Sequence, residues 1–243
     1  MSTPWQLPGT SLLSSVVGAN AIGFLSIAAV SWIVQARLHL SDAYVVKASG
    51  GFALVMFVAT GFLHTRHPFS RFGAANHITA ARVAVVSLVA GLLGESLSPA
   101  VATSAATASA VVTMLDGADG WMARRTGMAS VFGARFDMET DALLIMVLSL
   151  LTWQAGKAGA WIVLAGLLRY VFVAAGWVLP WLRATLPPSR RRQTICVLQI
   201  IGLSLVVLPV VTPPASVWCS AALLAMLSAS FLVDTVWLWR HRA

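Results

Sequence analysis

Eight apolar stretches, at residues 11–34, 43–63, 78–94, 99–122, 134–155, 159–180, 194–211 and 216–238, decide the medium in which this chain folds. A membrane span needs roughly 20 mostly apolar residues, and no segment between the eight is long enough to fold as a soluble domain. Hydrophobic residues make up 58% of the sequence and charged residues 10%, with a mean hydropathy of +0.84, well outside the soluble range. The expected fold is an all-α polytopic membrane protein with about eight transmembrane helices.

The charges orient those spans. A formal charge of +8 on a soluble domain would suggest nucleic acid, but here the basic residues fall in short loops between apolar spans. They read as topology signals and as contacts with anionic lipid or phosphate, and no nucleic-acid partner is expected. With the N-terminus in the cytoplasm, Arg66, Arg71, Arg82, Arg124, Arg125, Arg135, Arg183, Arg190, Arg191, Arg192, Arg240 and Arg242 all lie at cytoplasmic ends or loops. Against them stand Arg37 and Lys157 outside, with Lys47 and Arg169 within spans. Both termini are therefore expected in the cytoplasm of a multi-pass inner-membrane protein. The opening MSTPWQLPGT lacks a positive n-region, so the first apolar segment reads as a retained span. Cys196 and Cys219 sit in apolar stretches and imply neither a disulfide framework nor a thiolate metal site.

One cluster breaks the apolar pattern. Asp116, Asp119, Gly120, Ala123, Arg124, Gly133, Asp137 and Asp141 read as DxxDGxxAR, eight residues, then GxxxDxxxD, with apolar helical sequence on both sides. An aspartate at the centre of a membrane helix costs roughly 2.5 to 3.5 kcal/mol on insertion scales, so four together require a compensating partner. Asp116 and Asp119 form an i,i+3 pair and Asp137 and Asp141 an i,i+4 pair, each projecting from one face of its helix. Two such faces meeting across a short loop make an all-oxygen cage suited to Mg²⁺ or Mn²⁺. Gly120, Ala123 and Arg124 continue the Asp116 face: the small residues admit a flat ligand close to the backbone, and the Arg124 fork suits a phosphate. The set points to metal plus nucleotide phosphate. A cation transporter also places acids on membrane helices, but those are expected near the midplane, on broken helices or in repeated halves.

The spacing resembles the signature of the CDP-alcohol phosphotransferase (phosphatidyltransferase) family, integral membrane enzymes that move a phosphatidyl or similar group from a CDP-linked donor onto an alcohol. Every signature position is matched, over roughly a tenth of the chain. The resemblance implies a six-helix catalytic core, so residues 65–243 read as that core and residues 1–64 as an accessory N-terminal transmembrane hairpin. It implies that Asp116, Asp119 and Asp137 are metal ligands, with Asp141 completing the site and serving as general base. Gly120, Ala123 and Gly133 would line the cytidine pocket, and Arg124 would hold the pyrophosphate. Two divalent ions, Mg²⁺ or Mn²⁺, about 4 Å apart are expected. The expected donor is CDP-diacylglycerol and the acceptor a small alcohol, with release of CMP. A CDP-choline or CDP-ethanolamine donor with a lipid alcohol is the alternative within the family. A homodimer in the bilayer is the expected assembly.

Outside the motif the residues carry paired readings. Asn76, Thr79 and Arg82 open the third span as NHITAAR, similar to NxxTxxR openings beside the family's donor site. Equally, Asn76 reads as a helix cap and Arg82 as a snorkelling cation. Arg169, inside an apolar span, is a candidate contact for an acceptor or donor phosphate, or a partner for one of the acids. Arg190 to Arg192, Arg191 at their centre, could meet a phosphorylated acceptor or anchor the loop to lipid headgroups. Lys47 reads as a snorkelling cation, Asp234 as paired or interfacial, and Glu139 as facing away from the other acids. His64, His67 and His77 show no compact ligand spacing.

Overall fold

The computed structural model describes residues 10–66, 69, 71–126 and 130–242; the side chains at 10, 11, 64–66, 118–121, 123, 124 and 126 lie outside the description. The described residues form eight α-helices and no strand: α1 Thr10–Leu38, α2 Ala43–Arg66, α3 Ala74–Gly91, α4 Pro99–Thr126, α5 Val131–Gln154, α6 Val163–Val178, α7 Arg190–Val207 and α8 Ala215–Arg240. Single 3₁₀ turns, Ala160–Ile162 and Pro180–Arg183, flank α6. The eight helices coincide with the eight expected spans, so the chain is an all-helical, multi-pass membrane protein. Outward side chains such as Ile22, Leu25, Trp32, Val46, Phe57, Trp177 and Trp218 are exposed, as suits a lipid rather than a water surface.

Among the described residues, five segments are apolar and long enough to cross a membrane: Leu12–Leu38, Ala43–Leu63, Ala74–Gly91, Ala160–Val178 and Ala215–Arg240. The remaining helices, α4, α5 and α7, are the ones that carry the aspartates of the motif and the Arg190 to Arg192 cluster.

The chain divides into two compact units, Met1–Thr140 and Asp141–Ala243, and the division falls within α5. In the first unit Leu12, Val16 and Ile27 of α1 and Ala48, Phe52, Met56 and Leu63 of α2 share one core with Phe72, Val83, Phe132 and Phe136. The N-terminal hairpin is thus packed into the unit that holds the first half of the site. Small residues on α4, with Ala102, Ala105, Ala106 and Ser109 buried, permit close packing beside α3. Ser109 and Thr113 bond the carbonyls one turn earlier, which satisfies their hydroxyls without a partner helix.

In the second unit, α5 ends in a Schellman turn. Gly156 takes the left-handed conformation at φ 64°, and the Lys157 N–H reaches the Thr152 carbonyl. The Lys157 ammonium then donates to the Leu208 and Val211 carbonyls beyond the end of α7, and Ser216 of α8 donates to the Lys157 carbonyl at 2.7 Å. At the other end of this unit Arg191 of α7 bonds Ser230 and Asp234 of α8.

Candidate active site

The aspartate pattern is delivered by two helices. Asp116 stands near the end of α4, and Asp137 and Asp141 stand one turn apart on the continuous helix α5. One carboxylate oxygen from each lies within 4.8 Å of the other two, and all three residues are half-buried. Ser130 starts α5 as its N-cap: its hydroxyl accepts the Gly133 N–H at 3.0 Å, satisfying one donor of the first turn. Phe72, Phe132 and Phe136 pack together, with the Phe132 and Phe136 rings stacked at 5.5 Å, and this fixes the start of α5 against the segment leading into α3.

Arg82 of α3 binds the cluster together. Its side chain is fully buried; one guanidinium nitrogen lies 2.8 Å from Asp116 Oδ1, and another pairs with Asp137 Oδ1. The snorkelling alternative for Arg82 is therefore corrected, because the guanidinium is turned inward to two carboxylates. The capping alternative for Asn76 is corrected as well. α3 begins at Ala74 after Gly73, so Asn76 is already inside the helix, buried, and donates to the Phe72 carbonyl. Thr79 donates to the Ala75 carbonyl at 3.2 Å. Asn76, Thr79 and Arg82 are all buried; Asn76 lies beside Gly133 of α5, and Arg82 reaches Asp137 of the same helix. A Cβ on Gly133 would stand 2.9 Å from Asn76 Oδ1, so glycine is required there for the helices to approach this closely.

The Arg82 guanidinium meets two of the three carboxylates, and all three bring an oxygen to one place. Oxygen donors alone, gathered within metal-ligand reach, suit a hard divalent cation such as Mg²⁺ or Mn²⁺. Glu139, on another face of α5, is not among the three. The side chains of Asp119, Gly120, Ala123 and Arg124 lie outside the described residues, though their backbone continues α4. His64 and His67 are likewise outside the description, and His77 is exposed with its ring edge-on to Phe72.

Arg169 is half-buried in the middle of α6. Arg191 and Arg192 both reach Asp234 Oδ1, so Asp234 is paired, as one of its two sequence readings expected. Two residues of α7 were given no role from the sequence. The Cys196 thiol lies 3.7 Å from Asp141 Oδ2, and Gln199, three residues on, is completely buried. A glutamine in the apolar run ICVLQIIGLSLVV was the available signal.

A family model described as CDP-alcohol phosphatidyltransferase matches residues 72–233. The match begins at Phe72, beside the aromatic cluster, and takes in α3 to α7 and most of α8. No curated protein and no solved structure matched the chain.

Proposed function

The chain belongs to the CDP-alcohol phosphatidyltransferase family, whose members are transferases of substituted phosphate groups, and we propose that it transfers a phosphatidyl group from CDP-diacylglycerol to a small alcohol with release of CMP. The observation that carries this reading is the Asp116, Asp137 and Asp141 cluster held by Arg82, within the matched segment.

The family depends on divalent metal. Asp116, Asp137 and Asp141, joined by Asp119, would hold two Mg²⁺ or Mn²⁺ ions, which when bound neutralise charge on the pyrophosphate and the departing CMP. Arg82 orients Asp116 and Asp137 and limits their mutual repulsion before any donor arrives. Gly120, Ala123 and Gly133 are assigned to the cytidine pocket and Arg124 to the pyrophosphate. Asp141 accepts the proton of the acceptor hydroxyl as its oxygen forms a bond to the phosphatidyl phosphorus. The phosphorus–oxygen bond to CMP breaks, and CMP leaves with the electron pair. The chemistry is mostly positioning and charge neutralisation.

We assign a phosphate on the acceptor to Arg169; the Arg191 guanidinium is engaged by Asp234 and Ser230. The site is placed at the cytoplasmic face, with both termini cytoplasmic and a homodimer as the assembly. Residues 65–243 act as the catalytic core, and the hairpin of residues 1–64 supports it through the shared core around Phe52 and Phe72. Purified protein given CDP-diacylglycerol and Mn²⁺ or Mg²⁺ should release CMP with one of glycerol phosphate, inositol phosphate, serine or a free polyol. The Asp141→Asn variant should not. Absence of CMP release from folded protein with every CDP-linked donor would overturn the assignment.

A further inference from the structure

Polar side chains inside the second unit are mostly answered within their own helices. Ser149 and Thr152 of α5 and Ser204 of α7 each donate to the carbonyl one turn earlier. Gln199 differs. It is fully buried on α7, and neither Nε2 nor Oε1 has a hydrogen-bond partner. A serine can turn back to its own helix, but a glutamine amide offers two donors and a two-lone-pair acceptor that the helix backbone does not absorb. A buried polar group left in this state is an expensive feature that calls for a ligand or a water.

The register of α7 says what it faces. Cys196, three residues earlier, directs its thiol at Asp141 Oδ2. Positions three apart share a helix face, so Gln199 lies on the same side of α7, about 4.5 Å further along the helix axis. The nucleotide side of the site is assigned to α4 and the first turn of α5, whereas Asp141 on its α7 side is where the attacking hydroxyl must sit.

We propose that Gln199 is a specificity-determining residue for the acceptor, its carboxamide hydrogen-bonding a hydroxyl of the alcohol that presents its reacting oxygen to Asp141. A hydroxyl donates and accepts at once, and so does the amide. The assignment rests on the transferase reading. It implies selectivity for acceptors with a second hydroxyl beside the reacting one, because an alcohol lacking it leaves the amide orphaned.

The test measures acceptor and donor KM separately in Gln199→Met and Gln199→Leu, using glycerol phosphate, inositol phosphate, serine and glycerol with CDP-diacylglycerol and Mn²⁺. Loss of one neutral hydrogen bond should raise the acceptor KM about tenfold, with the donor KM unchanged. A merely structural amide predicts the opposite pattern, since an apolar side chain of similar shape would leave KM alone and leave stability equal or improved. A second readout needs no turnover: in a Cys219→Ser background the preferred acceptor should slow maleimide labelling of Cys196, and Gln199→Met should abolish that protection. Unchanged acceptor KM with intact protection, or a KM effect confined to the donor, overturns the Gln199 assignment while the transferase stands. No CMP release by the parent protein overturns the transferase reading and this assignment with it.

Discussion

Two ion-pair clusters, one at Glu95 and one at Arg82, each set a basic side chain against carboxylate and do opposite things. Just past the C-terminal end of α3, Glu95 is saturated: Oε1 accepts from Lys47 at 2.6 Å and from the Ser41 hydroxyl at 2.6 Å, and Oε2 accepts the Ser41 N–H at 2.9 Å. One cation meets one anion, and Lys47 also bonds the Leu93 carbonyl at 2.8 Å. In the middle of α3, Arg82 meets Asp116 and Asp137, and an oxygen of each lies within 4.8 Å of one from Asp141. A closed pair ties loops together; three carboxylate oxygens gathered within metal-ligand reach are arranged to take up a cation. The difference separates architecture from active site in a membrane protein, where any buried charge is costly and burial alone therefore says little about purpose.

Breaking the carboxylate cluster at Arg82 should have the largest effect. Arg82→Met removes one partner of a buried pair, a class of change that costs about 3 to 5 kcal/mol. Because Asp116 and Asp137 would then repel each other unchecked, the loss of thermal stability in detergent should be greater in chelator than in Mn²⁺. Equal losses in both would show that the carboxylates bind no metal.

Gly133→Ala is expected to cost less, about 1 to 3 kcal/mol, through the 2.9 Å approach of the new methyl to Asn76 Oδ1. Adding Asn76→Ala should recover the stability. If Gly133 also borders the cytidine pocket, the double variant regains its melting temperature but keeps a raised KM for CDP-diacylglycerol. Recovery of both would reduce Gly133 to a packing residue.

The smallest effect on CMP release belongs to the closed pair. Burial by itself would raise the Glu95 carboxyl, but hydrogen bonds from Lys47 and Ser41 and the Lys47 charge outweigh it and lower its pKa from the ordinary 4.5 to about 2. A folded-state pKa below the unfolded one stabilises the protein fully above about pH 4.5, and that contribution is lost as pH falls toward 2. Glu95→Gln should therefore lower the unfolding free energy at pH 7 by about 1.5 to 3 kcal/mol, the range for a charged hydrogen bond, and the gap from the parent should narrow below about pH 4.5. CMP release near neutral pH should be retained by the folded variant. A gap that widens in acid would contradict the pairing.

The helices and the carboxylate cluster were legible in the sequence for simple reasons. Apolar runs of membrane length have one solution, and the i,i+4 pair Asp137 and Asp141 shares a face on any helix. What the sequence left open was register between helices. Arg82 and Asp137 are separated by 55 positions, and nothing local distinguishes a guanidinium that reaches lipid headgroups from one that turns inward. Lys47 was read as snorkelling for the same reason: Glu95 lies 48 positions away, past another helix. Gln199 and Cys196 were invisible because their meaning depends on which face of α7 is turned to Asp141, and contact alone supplies that. Arg191 had two readings, and its bonds to Ser230 and Asp234 show the guanidinium already engaged by α8.

The most direct test of the central claim, that the carboxylate cluster beside Arg82 is a divalent-metal centre serving a CDP-linked donor, is Mn²⁺ binding followed by electron paramagnetic resonance on the purified protein, with and without CMP. Saturable binding that CMP tightens, and that Asp116→Asn and Asp137→Asn each abolish in folded protein, is the predicted result. Mn²⁺ binding that is weak, indifferent to CMP and equal in the parent and both variants would contradict it.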